Sequence, residues 1–126
     1  MSEDEIRQHG VLAGIDVLKN EGAGLLRDKS CGLITNTSAI SRSGVTTLKT
    51  LGDMDEVELV ALFSPEHGLD GTHRTGDVPD ATDPATDLPV YSLYGDTRRP
   101  KPEQLEAIDT LIFDIPDVGM RFFTYI

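Results

Sequence analysis

Tryptophan is absent from this chain, cysteine occurs once, and aromatic residues make up only 6% of it. A lone cysteine, Cys31, rules out an internal disulfide, so a packed core must hold the fold. Long apolar runs are also missing. The longest, Leu59-Val60-Ala61-Leu62-Phe63, falls far short of the roughly 20 residues that span a bilayer, and no membrane partner is expected. The opening residues, Met1-Ser2-Glu3-Asp4-Glu5, lack the basic and apolar regions of a secretory signal, which predicts a cytoplasmic chain. Positive charge is scarce as well: 11 Lys and Arg face 22 Asp and Glu, a net charge of −11. Such a surface repels phosphate backbones and excludes nucleic acid as an expected partner.

What is present fits one soluble domain. A chain of 126 residues with 38% hydrophobic content buries a real but modest core. The acids favour Asp over Glu, 14 to 8, and the bases favour Arg over Lys, 7 to 4. That skew suits a salt-rich cytoplasm as well as it suits an ordinary acidic surface. Residues 1–10 are polar and read as a frayed N-terminus, leaving 11–126 as the domain. Within 11–26, Leu12, Ile15, Leu18, Leu25 and Leu26 form a short helical pattern interrupted by Gly22 and Gly24. Residues 31–35 are a compact apolar run ending at Asn36, the mark of a buried parallel strand, with Cys31 an inert thiol inside it. Ser41 or Ser43 is placed to cap a helix through Val45, Leu48 and Leu51 that stops at Gly52.

Residues 57–63 predict a second buried strand, and 70–87 a long polar loop of the kind that is functional or mobile. Residues 89–94 predict another strand. Pro102 opens a short helix through Leu105 and Ile108, and 110–114 forms the third buried strand. Strands alternating with helices predict an α/β, Rossmann-like three-layer domain with a mostly parallel sheet.

In open α/β sheets, ligands bind beyond the carboxyl ends of the strands. Three predicted strands end there in polar residues: Asn36, then Glu66-His67, then Asp114 with Asp117. Glu66 lies between Pro65 and Gly68; a carboxylic acid walled by apolar neighbours at such an end has its pKa raised toward general-acid duty. The plainer reading is a capping or solvated glutamate. His67 either orients Glu66, meets a ligand or is a hydrogen-bonded structural residue. Three histidines without metal-binding spacing give no metal site. Asp114 and Asp117 could handle a proton or brace a turn. Arg121, with Tyr125, suits a carboxylate through its bidentate fork, or forms a salt bridge to Asp114 or Asp117. Gly22-Ala23-Gly24 precedes its strand instead of following it, so it is no dinucleotide fingerprint and no cofactor is expected.

Four ordered segments also carry a family resemblance: Gly32-Leu33-Ile34-Thr35-Asn36-Thr37, Leu62-Phe63-Ser64-Pro65-Glu66-His67-Gly68-Leu69-Asp70-Gly71, Leu88-Pro89-Val90-Tyr91-Ser92-Leu93-Tyr94-Gly95, and Phe113-Asp114-Ile115-Pro116-Asp117-Val118-Gly119-Met120-Arg121-Phe122. Together they resemble the bacterial exo-β-N-acetylmuramidase family, once known only as a domain of unknown function. The resemblance implies a glycosidase of cell-wall recycling that removes N-acetylmuramic acid from the non-reducing end of peptidoglycan fragments. It implies an active site in a cleft between this Rossmann-like domain and a second α/β domain. Glu66 is the implied catalytic carboxylate and Asp114 the second catalytic candidate. Asn36, His67, Asp117, Arg121 and Tyr125 match cleft-lining, substrate-binding positions. Pro116 stands where a polar residue, usually Gln, is usual. Asp70 stands where a base is usual, which would weaken recognition of the acidic lactyl group. Family members are longer, which implies that this chain stops before the second domain. Phe122, Phe123 and Ile126 would then form an apolar edge, met by that domain or by self-association. A non-catalytic carbohydrate-binding or remnant half-domain is the alternative.

Overall fold

The structure, a computed structural model, describes residues 10–65, 69, 80–95 and 98–116; of the segment 1–10 expected to be frayed, all but Gly10 lies outside them. Among the described residues five strands form one sheet: β1 (Ser30–Thr35), β2 (Glu58–Ser64), β3 (Ala81–Thr82), β4 (Pro89–Ser92) and β5 (Thr110–Asp114). Their order is β3-β4-β2-β1-β5. Pairings of β1 with β2, β1 with β5 and β2 with β4 are parallel, and β3 runs antiparallel, on β4. The α/β architecture with a mostly parallel sheet is therefore as the alternation of patterns predicts. The two-residue edge strand β3 is new, lying inside what reads as featureless loop.

Among the described residues three helices flank the sheet: α1 (Gly14–Glu21), α2 (Thr47–Gly52) and α3 (Pro102–Leu105). Ile15 of α1 and Leu51 of α2 share a buried cluster with Cys31, Leu33, Leu62 and Val90. The opposite sheet face buries Ala61, Phe63 and Leu93, with Ile34, Tyr91 and Ile108 packed on them. Alternate residues of a strand face opposite sides, which is why Leu33 and Ile34 enter different clusters. Phe63 and Tyr91 meet across this second face as a tilted ring pair with centroids 5.5 Å apart.

The helical pattern of 11–26 divides at Gly22, whose φ of +83° ends α1 in a conformation that only glycine adopts cheaply. A 3₁₀ turn, Gly24–Leu26, follows. It buries Leu26 but leaves Leu25 82% exposed, so Leu25 is not a core residue. The cap of α2 is Thr46, whose side chain accepts from the Lys49 N–H, and neither Ser41 nor Ser43. Ser41 instead closes the turn before the helix: its N–H donates to the Val45 carbonyl at 2.7 Å, and its hydroxyl accepts from the Val45 N–H at 3.2 Å. The strand expected to be buried at 110–114 is the sheet edge among the described residues. Leu111 and Phe113 on one of its faces are 43% and 55% exposed.

Candidate functional site

The chain builds outward from β1 through β2 to β4, then places β5 on the other side of β1. Strand order therefore reverses between β1 and β5, and the crevice at such a reversal is where open α/β sheets bind ligands. Thr35 pairs with Asp114 across this boundary, and Asn36 is the next residue of the chain. The structure thus brings two of the sequence-derived site residues, Asn36 and Asp114, to adjoining strand ends.

Asn36 is half-buried. Its side-chain carbonyl accepts from both the backbone N–H, at 3.0 Å, and the hydroxyl of Ser38. This Asx-type brace shapes the turn after β1 and uses the acceptor end of the side chain. The amide nitrogen is the end that could serve a ligand. Asp114, also half-buried, takes a hydrogen bond from the Thr47 hydroxyl at the start of α2.

Glu66, His67, Asp117, Arg121 and Tyr125 lie outside the described residues. Their neighbours in sequence are placed. Pro65 is buried directly after β2, and the Leu69 carbonyl accepts from the Thr37 N–H at 3.0 Å. The connection after β2 is thus tied to the turn after β1, the turn that Asn36 braces. Part of the long polar loop is also outside the description. Its last residues are anchored: Asp80 accepts from the Ser92 N–H at 2.7 Å, and Asp83 accepts from the Thr86 N–H at 2.8 Å and the Thr86 hydroxyl at 2.6 Å.

One feature of the strand ends escapes the sequence reading. β1, β2 and β4 finish in Thr35, Ser64 and Ser92, which are 1%, 1% and 8% exposed. Each hydroxyl donates to a carbonyl just downstream, Asn36 at 3.3 Å, Pro65 at 3.2 Å and Tyr94 at 2.9 Å. A buried hydroxyl must find a partner, and here the partner is the backbone that leaves the strand, so each bond fixes a loop exit. The signal was visible as a Ser or Thr closing each apolar run. Two surface grooves lie beside α2, only one of them reaching this edge. One of about 220 Å³ includes Thr47, Leu51, Ile112 and Asp114 in its lining. Another, of about 710 Å³ between α2 and the turn before β4, is lined in part by Leu48, Lys49, Leu59 and Leu88 and includes none of the candidate residues.

Cys31 is fully buried. Burial first, then the carboxylates of Asp109 and Glu58, pushes its thiol above the ordinary cysteine range. It is a core thiol and no nucleophile. Gly22 and Gly24 lie at the end of α1 and in the 3₁₀ turn, both ahead of β1. No helix among the described residues is long and apolar enough to cross a membrane.

A mostly parallel sheet whose strand order reverses between β1 and β5, with Asn36 and Asp114 at the adjoining strand ends, defines a Rossmann-like α/β domain. Residues 31–126 match the family described as exo-beta-N-acetylmuramidase NamZ, N-terminal, and the chain belongs to that family. It is 45% identical over 117 residues to the peptidoglycan beta-N-acetylmuramidase NamZ of Bacillus subtilis (strain 168), an alignment that covers 92% of this chain and 28% of that relative. A crystal structure of a DUF1343 family protein from Bacteroides fragilis NCTC 9343 superposes with a TM-score of 0.80 at 47% identity, over 90% of this chain and 28% of the other. A second such protein from the same organism gives 0.68 at 30% identity, over 91% and 28%. The chain therefore spans 28% of the length of each of these relatives.

Proposed function

We propose that this chain forms the N-terminal wall of a glycoside hydrolase that releases N-acetylmuramic acid from the non-reducing end of peptidoglycan fragments. The observation that carries the reading is the pairing of Thr35 with Asp114, which sets a carboxylate beside Asn36 at the reversal of strand order in a member of this family. Glycosidases use two carboxyl groups about the scissile bond, one as acid and the other as base or nucleophile. Glu66, which directly follows the buried Pro65, is assigned the first role and Asp114 the second. Asp114 either acts on water or the sugar itself, or orients the sugar's own acetamido group as internal nucleophile. His67, Asp117, Arg121 and Tyr125 join Asn36 in holding the substrate, Arg121 by pairing with its lactyl carboxylate.

A single wall cannot surround a sugar or exclude water from it. The opposite wall comes from a further α/β domain or a second copy of the chain. The exposed Leu111 and Phe113 on β5 give either one an apolar seat. A cytoplasmic place in cell-wall recycling goes with this reading. The test is incubation of the complete gene product with a chromogenic N-acetylmuramic acid glycoside. Release of the chromophore supports hydrolysis. Saturable sugar binding without release supports a carbohydrate-binding half-protein instead, and the absence of both release and binding defeats both readings.

A further inference from the structure

Thr47 and Asp114 are 67 positions apart, yet the Thr47 hydroxyl donates to Asp114 Oδ2. Thr47 is the first residue of α2 and is 1% exposed. Its own N–H donates to the Ala39 carbonyl at 2.9 Å, and a β-branched side chain in a helix has few rotamers to choose among. The donor is thus fixed by main chain and by packing. Asp114 is fixed from the other side by the β5–β1 ladder, opposite Thr35.

We infer that Thr47 is a positioning residue for the active site: its hydroxyl occupies one oxygen of Asp114 and so aims the other at the substrate. This rests on the catalytic assignment of Asp114. An ionised carboxylate only accepts hydrogen bonds, through either oxygen, and a free one rotates between equivalent poses. Tying down Oδ2 removes that freedom, and small misplacements of a reacting group are costly, with an ångström worth about a hundredfold in rate. A plain structural tie between α2 and β5 would also contain this bond. The two roles differ in consequence, because a tie stabilises the fold whatever Asp114 does chemically.

The experiment uses the complete gene product and compares wild type, Thr47→Val, Thr47→Ser, Asp114→Asn and the Thr47→Val/Asp114→Asn pair. Thr47→Ala replaces Thr47→Val should the latter fail to fold. Loss of the hydroxyl should lower kcat by about 10- to 100-fold with KM within about twofold, while Thr47→Ser keeps most of the wild-type kcat. In the Asp114→Asn background, removal of the hydroxyl should change the residual rate by less than about twofold, since residues that act as one unit are non-additive. A fall in Tm with kcat unchanged, or losses that multiply in the double variant, would overturn the positioning role alone. Wild-type turnover by Asp114→Asn removes the assignment of Asp114 and this inference with it. No hydrolysis by the wild type defeats the proposed function itself.

Discussion

The buried carboxylate of Asp16, in the first turn of α1, accepts the backbone N–H of Arg42 on both oxygens, at 3.0 and 3.2 Å. The same group reaches back to the Ala13 N–H at 3.1 Å. One side chain therefore holds the start of α1 and clamps it to the segment that links β1 to α2. That segment begins with Asn36, so Asp16 anchors the far end of the turn that serves the candidate site. Hydrogen bonds to a charged group are worth about 1.5–3 kcal/mol each way of counting, and orphaned N–H groups add cost. Asp16→Ala should lower Tm by roughly 5–15 °C in a thermal melt. A change under about 2 °C would show that the clamp is not holding the two segments together.

Gly32 is favoured by space. A Cβ there would lie 2.8 Å from Ile108 Cδ1, 3.0 Å from Leu111 Cδ1 and 3.2 Å from Phe63 Cε2. The β1–β2 register also shifts between Cys31 and Gly32. Gly32→Ala should destabilise by about 1 kcal/mol through overpacking. Adding Ile108→Val, which removes the closest methyl, should recover part of that loss. Chemical denaturation of the three variants measures both effects, and strictly additive losses would contradict the contact.

Cys31 gives a dependence on pH. Its thiol is raised in the folded chain, by burial first and then by Asp109 and Glu58, so the folded state disfavours the thiolate more than the unfolded state does. The stability tied to this group is complete below the unfolded thiol's pKa, about 8.5, and declines as pH rises through the folded value. Wild type should lose more stability between pH 8 and 10 than Cys31→Ala does. Thiol reagents should label the folded protein slowly at pH 8 and rapidly in denaturant. Fast labelling of the folded chain would place the thiol at the surface.

The sequence shows the sheet more clearly than the loops, for physical reasons. Residues 31–34 and 59–63 are apolar without alternation because both sheet faces are covered over β1 and the carboxyl half of β2, and Asn36 stands out as a polar residue after such a run. β5 carries the same apolar signature, and composition cannot reveal that one of its faces, with Leu111 and Phe113, is open. The cap of α2 is not singled out by sequence, because Ser41, Ser43 and Thr46 are all capable acceptors. A local hairpin-like turn, marked by the Ile40–Thr46 bridge, takes Ser41 and leaves Thr46 to cap. The tie between Thr47 and Asp114 has no local signal at all, since it depends on a helix start and a strand end meeting across 67 positions. For Glu66, His67, Asp117, Arg121 and Tyr125, the assignment rests on strand-end position and motif.

Asn36 makes a separable prediction. Asn36→Asp keeps an oxygen for the Ser38 brace and gives up the amide donor, whereas Asn36→Ala gives up both. In the complete gene product, Asn36→Asp should retain the wild-type Tm within about 2 °C while sugar affinity falls roughly tenfold, the worth of about one hydrogen bond. Asn36→Ala should lose affinity and stability together. Calorimetric titration with N-acetylmuramic acid reads the first quantity, and unchanged affinity in Asn36→Asp would assign Asn36 to the turn alone.

Glu66 is proposed as the catalytic carboxylate of a muramidase. That role is tested most directly by the rate at which the complete gene product releases N-acetylmuramic acid from a chromogenic glycoside, measured for wild type and Glu66→Gln. Turnover by the wild type and a loss of about 10² to 10⁴ in the variant, with its melting curve unchanged, are the expected results. A variant that keeps more than about a tenth of the wild-type rate would contradict that role.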